Sequence, residues 1–423
     1  MLQISYIREN KEKVIEALNK RGFKEIGKIE ELIALDEQKR SLQSESDEIA
    51  AQANNAARQI GELMRQGNRE EAEEIKLKTS KFKEQIKSFS DQLNKLENEF
   101  YSLLVTFPNL PHESVPAGLT AEDNEVVLQH GETPEFQQEA LPHWELATKY
   151  DIIDFETGTK ISGAGFPLYK GKGAKLQRAL INFFLDEATQ AGYNEVQPPV
   201  VINEASGFGT GQLPDKEGQM YYIGDDDRYL IPTAEVPVTN IYRDTIVSEG
   251  SFPIKHCAYT PCFRREAGSY GAHVRGLNRL HQFDKVELVQ IVHPDKSYDT
   301  LEEMSVYVQS LLQKLGLQYR VLRLCGGDMG FTSALTYDME VWSAAQQRWL
   351  EVSSVSNFES YQSNRLKVRF KGENGKSQLA HTLNGSALAL PRIVAAILEN
   401  FQTEDGVAVP DVLRPYTRFD FID

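Results

Sequence analysis

Arg65-Gln66-Gly67-Asn68-Arg69 stands between two runs of heptad-spaced apolar residues that together fill Lys28 to Leu104. Its Gly-Asn pair tolerates left-handed backbone, so the pentapeptide reads as the reversal of an antiparallel helix pair. Upstream, Leu35, Leu42, Ile49, Ala56 and Leu63 recur every seven residues. Lys39, Ser46, Ala53 and Ile60 fall between them at the four-then-three spacing of a coiled-coil seam. Downstream, Phe82, Phe89, Leu96 and Leu103 form one seam row, and Thr79, Ile86, Leu93 and Phe100 the other. Small residues of the first seam (Ser46, Ala53, Ala56) face large ones of the second (Phe82, Phe89), which suits interdigitation. At the rise of an α-helix, such an arm reaches roughly 50 to 60 Å.

Working outward, Ile4, Ile7, Val14, Ile15 and Leu18 pattern a short amphipathic helix before the arm, with Asn10 starting its second part and Gly22 near its end. It is expected to pack beside the arm's base. After the arm, Phe107-Pro108-Asn109-Leu110-Pro111 and Val115-Pro116 break helical geometry, because proline removes a backbone donor and pushes its predecessor out of the α region. The expected division is therefore an N-terminal domain over 1–106 with the arm at about 28–104, a linker over 107–117, and a second domain over 118–423. In that second domain, Ala174 to Ala191 reads as a helix, and Val196 to Ile202, His281 to Val292 and Ala334 to Val341 as strands. These do not alternate in βαβ units, so the fold class expected is α+β, an antiparallel sheet flanked by helices.

A length of 423 residues with 40% hydrophobic and 26% charged content is that of a soluble globular protein. No stretch approaches the roughly 18 apolar residues of a membrane span, and Met1 to Tyr6 lacks the apolar core of a signal peptide, so a cytoplasmic location is expected. Cys257, Cys262 and Cys325 have neither Cys-x-x-Cys spacing nor an even number, and read as buried free thiols rather than disulfides or a zinc cage. A formal charge of −16 argues against non-specific nucleic-acid binding as the main function, yet leaves room for a local cationic track. Lys76, Lys78, Lys81, Lys83 and Lys87, with Arg58, Arg65 and Arg69 near the tip, supply one; a solvated mixed-charge face is the plainer reading.

Chemistry concentrates in three places. Cys262-Phe263-Arg264-Arg265-Glu266-Ala267-Gly268 is followed, after a glycine-bearing loop, by Arg279-Leu280-His281-Gln282-Phe283-Asp284-Lys285-Val286-Glu287. On a hairpin, Arg264 and Glu266 share a face, as do Arg279, Phe283 and Glu287. An arginine fork holds a phosphate and a ring faces a purine, which outlines an ATP site; cross-strand salt bridges would leave the same pattern. His381 to Arg392 places Asn384, Ser386 and Arg392 at the mouth of an apolar helix, Ile393 to Leu398, where the polar groups are either helix caps or a site. Glu351-Val352-Ser353-Ser354 and Thr233-Ala234-Glu235 are further polar clusters in apolar surroundings, and Glu351 with a serine hydroxyl would suit Mg²⁺ held jointly with substrate phosphates. Gly207-Phe208-Gly209-Thr210-Gly211 imitates a phosphate loop but lacks both the dinucleotide-fold context and a Walker ending; it reads as a covering loop or a turn. The eight histidines show no metal-ligand spacing, and His281 reads as structural.

Together these segments resemble seryl-tRNA synthetase of the bacterial type along essentially the whole chain. Val196-Gln197-Pro198-Pro199 resembles motif 1 of the class II synthetases, Phe263 to Glu287 motif 2, and Asn384 to Arg392 motif 3. Thr233-Ala234-Glu235 is similar to the serine-binding signature, and the hairpin to the arm that grips the long variable arm of tRNA(Ser). The resemblance implies a class II catalytic domain, ATP and L-serine as substrates, Mg²⁺ with the ATP, no zinc, and a homodimer through motif 1. It implies that Arg264, Glu266 and Arg392 act in catalysis, with Arg264 on the α-phosphate and adenine between Phe283 and Arg392. ATP would also contact Arg265, Arg279, Glu351, Val352, Ser353 and Ser354, with Glu351 and Ser354 serving the cation. Thr233, Ala234, Glu235 and Glu287 would surround the serine ammonium and hydroxyl, and Asn384 and Ser386 would close the pocket. The chain departs from the commonest family strings at Arg265, Tyr270 to Val274, Val355 and Leu390-Pro391, which leaves the acceptor-stem contacts undefined. Two rivals remain: a synthetase-like enzyme that charges a carrier protein, against which the intact arm argues, and a coiled-coil scaffold with an inactive second half, against which the retained charged residues argue. Whether tRNA(Sec) is also a substrate stays open.

Overall fold

The computed structural model describes all residues except Glu135, Gln137, Gln138, Lys216, 267–273, Glu373 and Asn374. It falls into two compact units, one of Met1–Asn19 and Phe23–Pro108, the other of Lys20–Gly22 and Asn109–Asp423.

In the first unit, α1 (Ile4–Glu9) and α2 (Lys11–Lys20) precede α3 (Lys28–Gln66) and α4 (Arg69–Leu104). Gly67 ends α3 in the left-handed conformation, φ 84°. Gly67 N–H donates to Met64 and Asn68 N–H to the Leu63 carbonyl, so a Schellman cap makes the reversal. Every residue expected in the two seams is withdrawn from solvent, whereas their neighbours on the outer faces are exposed. The periodicity therefore selects the contact surface directly, because only one stripe per helix meets the partner. Arg8 on α1 pairs with Asp36 at 2.6 Å and Lys39 with Glu97 at 2.9 Å, tying α1 and then α4 to α3. Arg58, Arg65, Arg69 and the five lysines of α4 are all exposed. Lys76, Lys83 and Lys87 share one flank of the seam, Lys78 and Lys81 the other.

The second unit is built on an eight-stranded sheet. Its strands are β1 (Glu125–His130), β2 (Asn194–Glu195), β3 (Ile254–Phe263), β4 (Gln282–Val292), β5 (Tyr319–Arg323), β6 (Leu335–Ser343), β7 (Arg348–Asn357) and β8 (His381–Ala389). They lie in the order β1-β5-β6-β7-β8-β4-β3-β2, antiparallel throughout except for β2 beside β3. Helices α5 (His143–Lys149), α6 (Gly171–Gln190), α7 (Glu204–Thr210), α8 (Glu235–Asn240), α9 (Ser297–Lys314) and α10 (Leu390–Asn400) complete the parts used below. β4 is central and buried on both faces from Lys285 to Val292. Leu288, Val352, Val355, Leu383 and Ala387 join the main core with Leu176 and Phe184 of α6, Met304 and Val308 of α9, and Ile393 and Ile397 of α10.

Three local expectations give way to the structure. Val196 to Ile202 is no continuous strand: Pro198 and Pro199 cannot donate to a ladder, and only Asn194–Glu195 and Val201–Ile202 pair. The glycine-rich Gly207 to Gly211 stretch is helical, as α7, with the Asn203 side chain accepting from Ser206 N–H and Gly211 (φ 90°) ending it. A Cβ on Gly209 would lie 2.3 Å from Leu366, so that glycine serves close packing. Asn384 and Ser386 lie in β8, and the N-cap of α10 is Ala389, so the capping alternative for these side chains falls.

Candidate active site

Sheet register decides which side chains meet. In β4, Phe283, Lys285 and Glu287 alternate onto one face; Glu287 stands opposite Ser386, and Val289 opposite Asn384. Ser356 of β7 also stands opposite Asn384, and Asp338 of β6 opposite Ser354, so the same face continues across four strands. Glu351 and Ser354 are three apart and would point to opposite faces of a regular strand. The register shift between Met339 and Glu340 pairs Glu340 with Glu351 and Met339 with Ser353. Val352 is therefore the extra residue of a bulge, which returns Glu351 to the face of Ser354. Val352 itself is buried in the core, and the Ser353 hydroxyl donates to the Ser386 carbonyl at 2.6 Å, tying β7 to β8.

At the edge of this face stands Arg264, one residue past β3. Its N–H donates to the His281 carbonyl at 2.9 Å, its Nε to the Pro232 carbonyl at 3.3 Å, and its guanidinium lies 5.2 Å from the centre of the Phe283 ring. Glu266, at φ 44°, accepts from Arg279 at 2.7 Å, so the cross-strand pair the spacing allowed is present. Arg265 is exposed, with its N–H donating to the Gln219 carbonyl at 2.9 Å. His281 stacks on Phe166, ring centres 5.4 Å apart, and its Nδ1 lies 3.0 Å from the Tyr221 hydroxyl, a structural setting as expected. Of the divergent stretch Tyr270 to Val274, only Val274 is among the described residues.

Arg392, near the start of α10, donates from Nε to the Asn278 carbonyl at 3.1 Å and from a terminal nitrogen to the Glu351 carbonyl at 2.7 Å. That nitrogen is also 3.6 Å from the half-exposed Glu351 carboxylate. Asp338 is partly buried, with its Oδ1 withdrawn from solvent and, among the described residues, bonded by nothing. Burial first, and then the Glu351 charge, push its carboxyl well above the usual range, against a hydrogen bond with Ser354.

A second cluster closes the other end of the face. The Thr233 hydroxyl donates to Glu287 at 3.0 Å and accepts from Lys285 at 3.0 Å and from the Glu235 N–H at 3.1 Å. Lys285 also pairs with Glu287, whose Oε1 is bonded by nothing among the described residues. Gln362 donates to Glu235 at 2.6 Å and accepts from Thr382 at 2.7 Å. Burial and then Glu287 raise the Glu235 carboxyl to about 7, opposed by Gln362, Lys285 and Arg264. Ala234 packs on Val238, Ala258 and Val289, which lays the Thr233–Glu235 turn against the sheet. Lys285, Gln362 and Asp338 escaped the sequence reading. Lys285 had a visible signal, its even spacing from Phe283 and Glu287; the others become site residues only through distant partners.

All three cysteines are free and buried. Among the described residues no helix is long and apolar enough to cross a membrane, and no group of three or more His, Cys, Asp or Glu could by itself hold a metal ion.

Residues 1–111 match the family model of the seryl-tRNA synthetase N-terminal domain, and 221–401 that of the class II core domain shared by the G, H, P, S and T tRNA synthetases. The serine–tRNA ligase of Salinibacter ruber is 51% identical over 421 residues, covering 99% of this chain and 98% of that protein. That of Geobacter sulfurreducens is 48% identical, with 98% of each covered. The crystal structure of seryl-tRNA synthetase from Pyrococcus horikoshii complexed with ATP superposes with a TM-score of 0.93 at 32% identity, covering 99% of both chains. Cytoplasmic serine–tRNA ligase from Naegleria fowleri in complex with AMP gives 0.89 at 26% identity, over 100% of this chain and 99% of that one.

Proposed function

This chain belongs to the seryl-tRNA synthetases, and from that premise we propose which of its residues carry each step. It activates L-serine with ATP to seryl-adenylate and transfers the seryl group to tRNA(Ser), releasing AMP and diphosphate. The observation that carries the residue assignment is the single sheet face holding Phe283, Lys285, Glu287, Ser386, Asn384, Ser354 and Glu351. A nucleotide at one end and a small amino acid at the other then lie within reach of each other.

Adenine lies between the Phe283 ring and Arg392, which the nucleotide separates from their present neighbours. Arg264 leaves its place over Phe283 to hold the α-phosphate, supported by the Glu266–Arg279 pair, while Arg265 reaches the phosphates from outside. The serine ammonium docks on the unsatisfied Glu287 oxygen, with Glu235 and Thr233 beside it. Asn384 and Ser386 border the hydroxyl, and a pocket built to bond that hydroxyl rejects alanine by leaving its own polar groups unpaired. The serine carboxylate attacks the α-phosphorus in line, diphosphate leaves, and a terminal adenosine hydroxyl of the tRNA attacks the adenylate carbonyl. Arg264 neutralises charge as the transition state forms, so positioning and electrostatics supply the rate without a covalent enzyme intermediate.

The oxygen donors Glu351 and Ser354, with the unbonded Oδ1 of Asp338 behind them, fit a hard cation such as Mg²⁺. Substrate phosphates would complete its coordination, and when bound it offsets charge on them. Arg58, Arg65, Arg69 and Lys76, Lys78, Lys81, Lys83 and Lys87 of the arm contact tRNA. A homodimer through the motif 1 segment and a cytoplasmic location complete the proposal, both resting on family membership.

The test is ATP–diphosphate exchange with each of the twenty amino acids. Exchange with serine alone is expected; exchange driven by another amino acid and not by serine overturns the reading. Charging of tRNA(Ser) and tRNA(Sec) side by side decides whether both are substrates.

A further inference from the structure

Behind Arg392 lies a buried polar relay that the reaction itself does not use. His143, at the start of α5, and Glu399, near the end of α10, have fully buried side chains. Glu399 Oε1 accepts from His143 twice, from the ring Nδ1 at 2.7 Å and from the backbone N–H at 3.1 Å; its other oxygen accepts from Ser343. The far ring nitrogen, Nε2, accepts the N–H of Leu277 at 2.8 Å. A backbone N–H can only donate, so the ring is neutral, with its proton on Nδ1.

Leu277 and Asn278 belong to the turn leading into β4, and the Asn278 carbonyl receives Arg392 Nε at 3.1 Å. Arg392 and Glu399 lie seven residues, about two turns, apart on one side of α10. One rigid helix thus holds consecutive residues of the motif 2 return segment directly through Arg392 and, from Glu399, through His143 at Leu277 and through Gln346, which donates to Glu399 at 3.0 Å and accepts from the Asn278 side chain at 2.9 Å. There is no slack in the contact: a Cβ on Gly276, itself at φ 67°, would stand 2.2 Å from His143 Nε2.

We propose that His143 is a positioning residue for ATP, a neutral imidazole that locks the Leu277–Asn278 segment to α10 and thereby fixes where Arg392 presents its guanidinium to adenine. This rests on the assignment of Arg392 above. Two substitutions separate the limbs of the relay. His143→Asn keeps a donor for Glu399 and loses the acceptor for Leu277, whereas His143→Gln keeps an acceptor near the Nε2 position and loses the donor.

In the full-length enzyme, His143→Asn is expected to raise KM for ATP about five- to tenfold, as loss of one net hydrogen bond implies. KM for serine should stay within about twofold, since the hydrogen bonds of the Leu277–Asn278 segment run to His143, Gln346 and Arg392, and His143→Gln should raise KM for ATP less. A merely structural histidine would lower Tm without splitting the two KM values, and that result overturns the relay. Nitrogen-15 spectra of histidine-labelled wild-type enzyme provide a check independent of any variant's folding: one buried ring should carry its proton on Nδ1, and a proton on Nε2 overturns the proposal. Arg392→Ala run alongside tells the two failures apart. A raised KM for ATP there with wild-type values in His143→Asn rejects the relay alone, and an unchanged KM in Arg392→Ala rejects the adenine assignment and the relay with it.

Discussion

Lys285 and Glu287, two residues apart on one face of β4, form an ion pair inside the proposed serine pocket, with side chains only 7% and 1% exposed. The ammonium of Lys285 sits beside the carboxylate proposed to receive the ammonium of serine, and Thr233 bridges both. With Glu235 also facing the pocket, the cluster carries two carboxylates and one fixed cation, so it has charge for one further ammonium.

Lys285→Met is expected to strand two carboxylates in a buried site. Breaking a buried pair costs roughly 3–5 kcal/mol, so thermal unfolding should shift markedly downward and KM for serine should change more than KM for ATP. A variant with wild-type Tm and wild-type KM for serine refutes the charge count.

Glu235 sets a pH dependence. Its folded-state pKa is raised to about 7, so the stability contributed by its protonated form is full below the ordinary carboxylate range and is lost as pH rises through about 7. Serine binding has the opposite sign: the ionised form receives the ammonium, so KM for serine should fall as pH rises through about 7 and level off above it. Glu235→Gln should flatten that profile, and a profile that survives the substitution assigns the titration elsewhere.

Arg264→Ala should slow serine-dependent ATP–diphosphate exchange by at least about a hundredfold, the scale of losing one transition-state charge partner. The fold should persist, because in the resting protein the side chain gives up one hydrogen bond and one ring contact. Exchange near the wild-type rate, measured with circular dichroism as control, would remove Arg264 from the chemistry.

Replacing Lys28–Leu104 by a short glycine–serine linker should spare exchange and abolish aminoacylation. Equal loss of both activities contradicts that division of labour.

Within the intact arm, reversing Lys76, Lys83 and Lys87 to glutamate should weaken tRNA binding and flatten its dependence on salt, whereas reversing exposed acidic residues of α3 should not. Unchanged salt dependence would place the RNA contact on another flank.

The arm was fully legible, because a period of seven needs only local sequence to identify the residues that face a partner, and the seam so chosen is the stripe withdrawn from solvent. Phe283 and Glu287 were legible for a similar reason, an even spacing on one strand. Glu351 and Ser354 were grouped by their apolar surroundings, but alternation would have parted them; the bulge at Val352 depends on the pairing with β6. The choice between cap and site for Asn384 and Ser386 needed the tertiary fact that β8 runs on to Ala389. Gly207 to Gly211 misled because glycine's flexibility suggests a loop, while its lack of a side chain, which the packing against Leu366 exploits, shows only in three dimensions.

The cap at Gly67 and Asn68 constrains how such an arm can change over evolutionary time. The reversal takes only two residues and the stripes interlock along their length, so a lone insertion in either helix would shear every knob past its hole. Only matched additions to both strands, a heptad at a time, preserve the fit, and each moves the tip by about 10 Å. Reach is thereby quantised: a lineage that needs to touch a more distant feature of its RNA advances in discrete steps, leaving the chemistry of the sheet untouched.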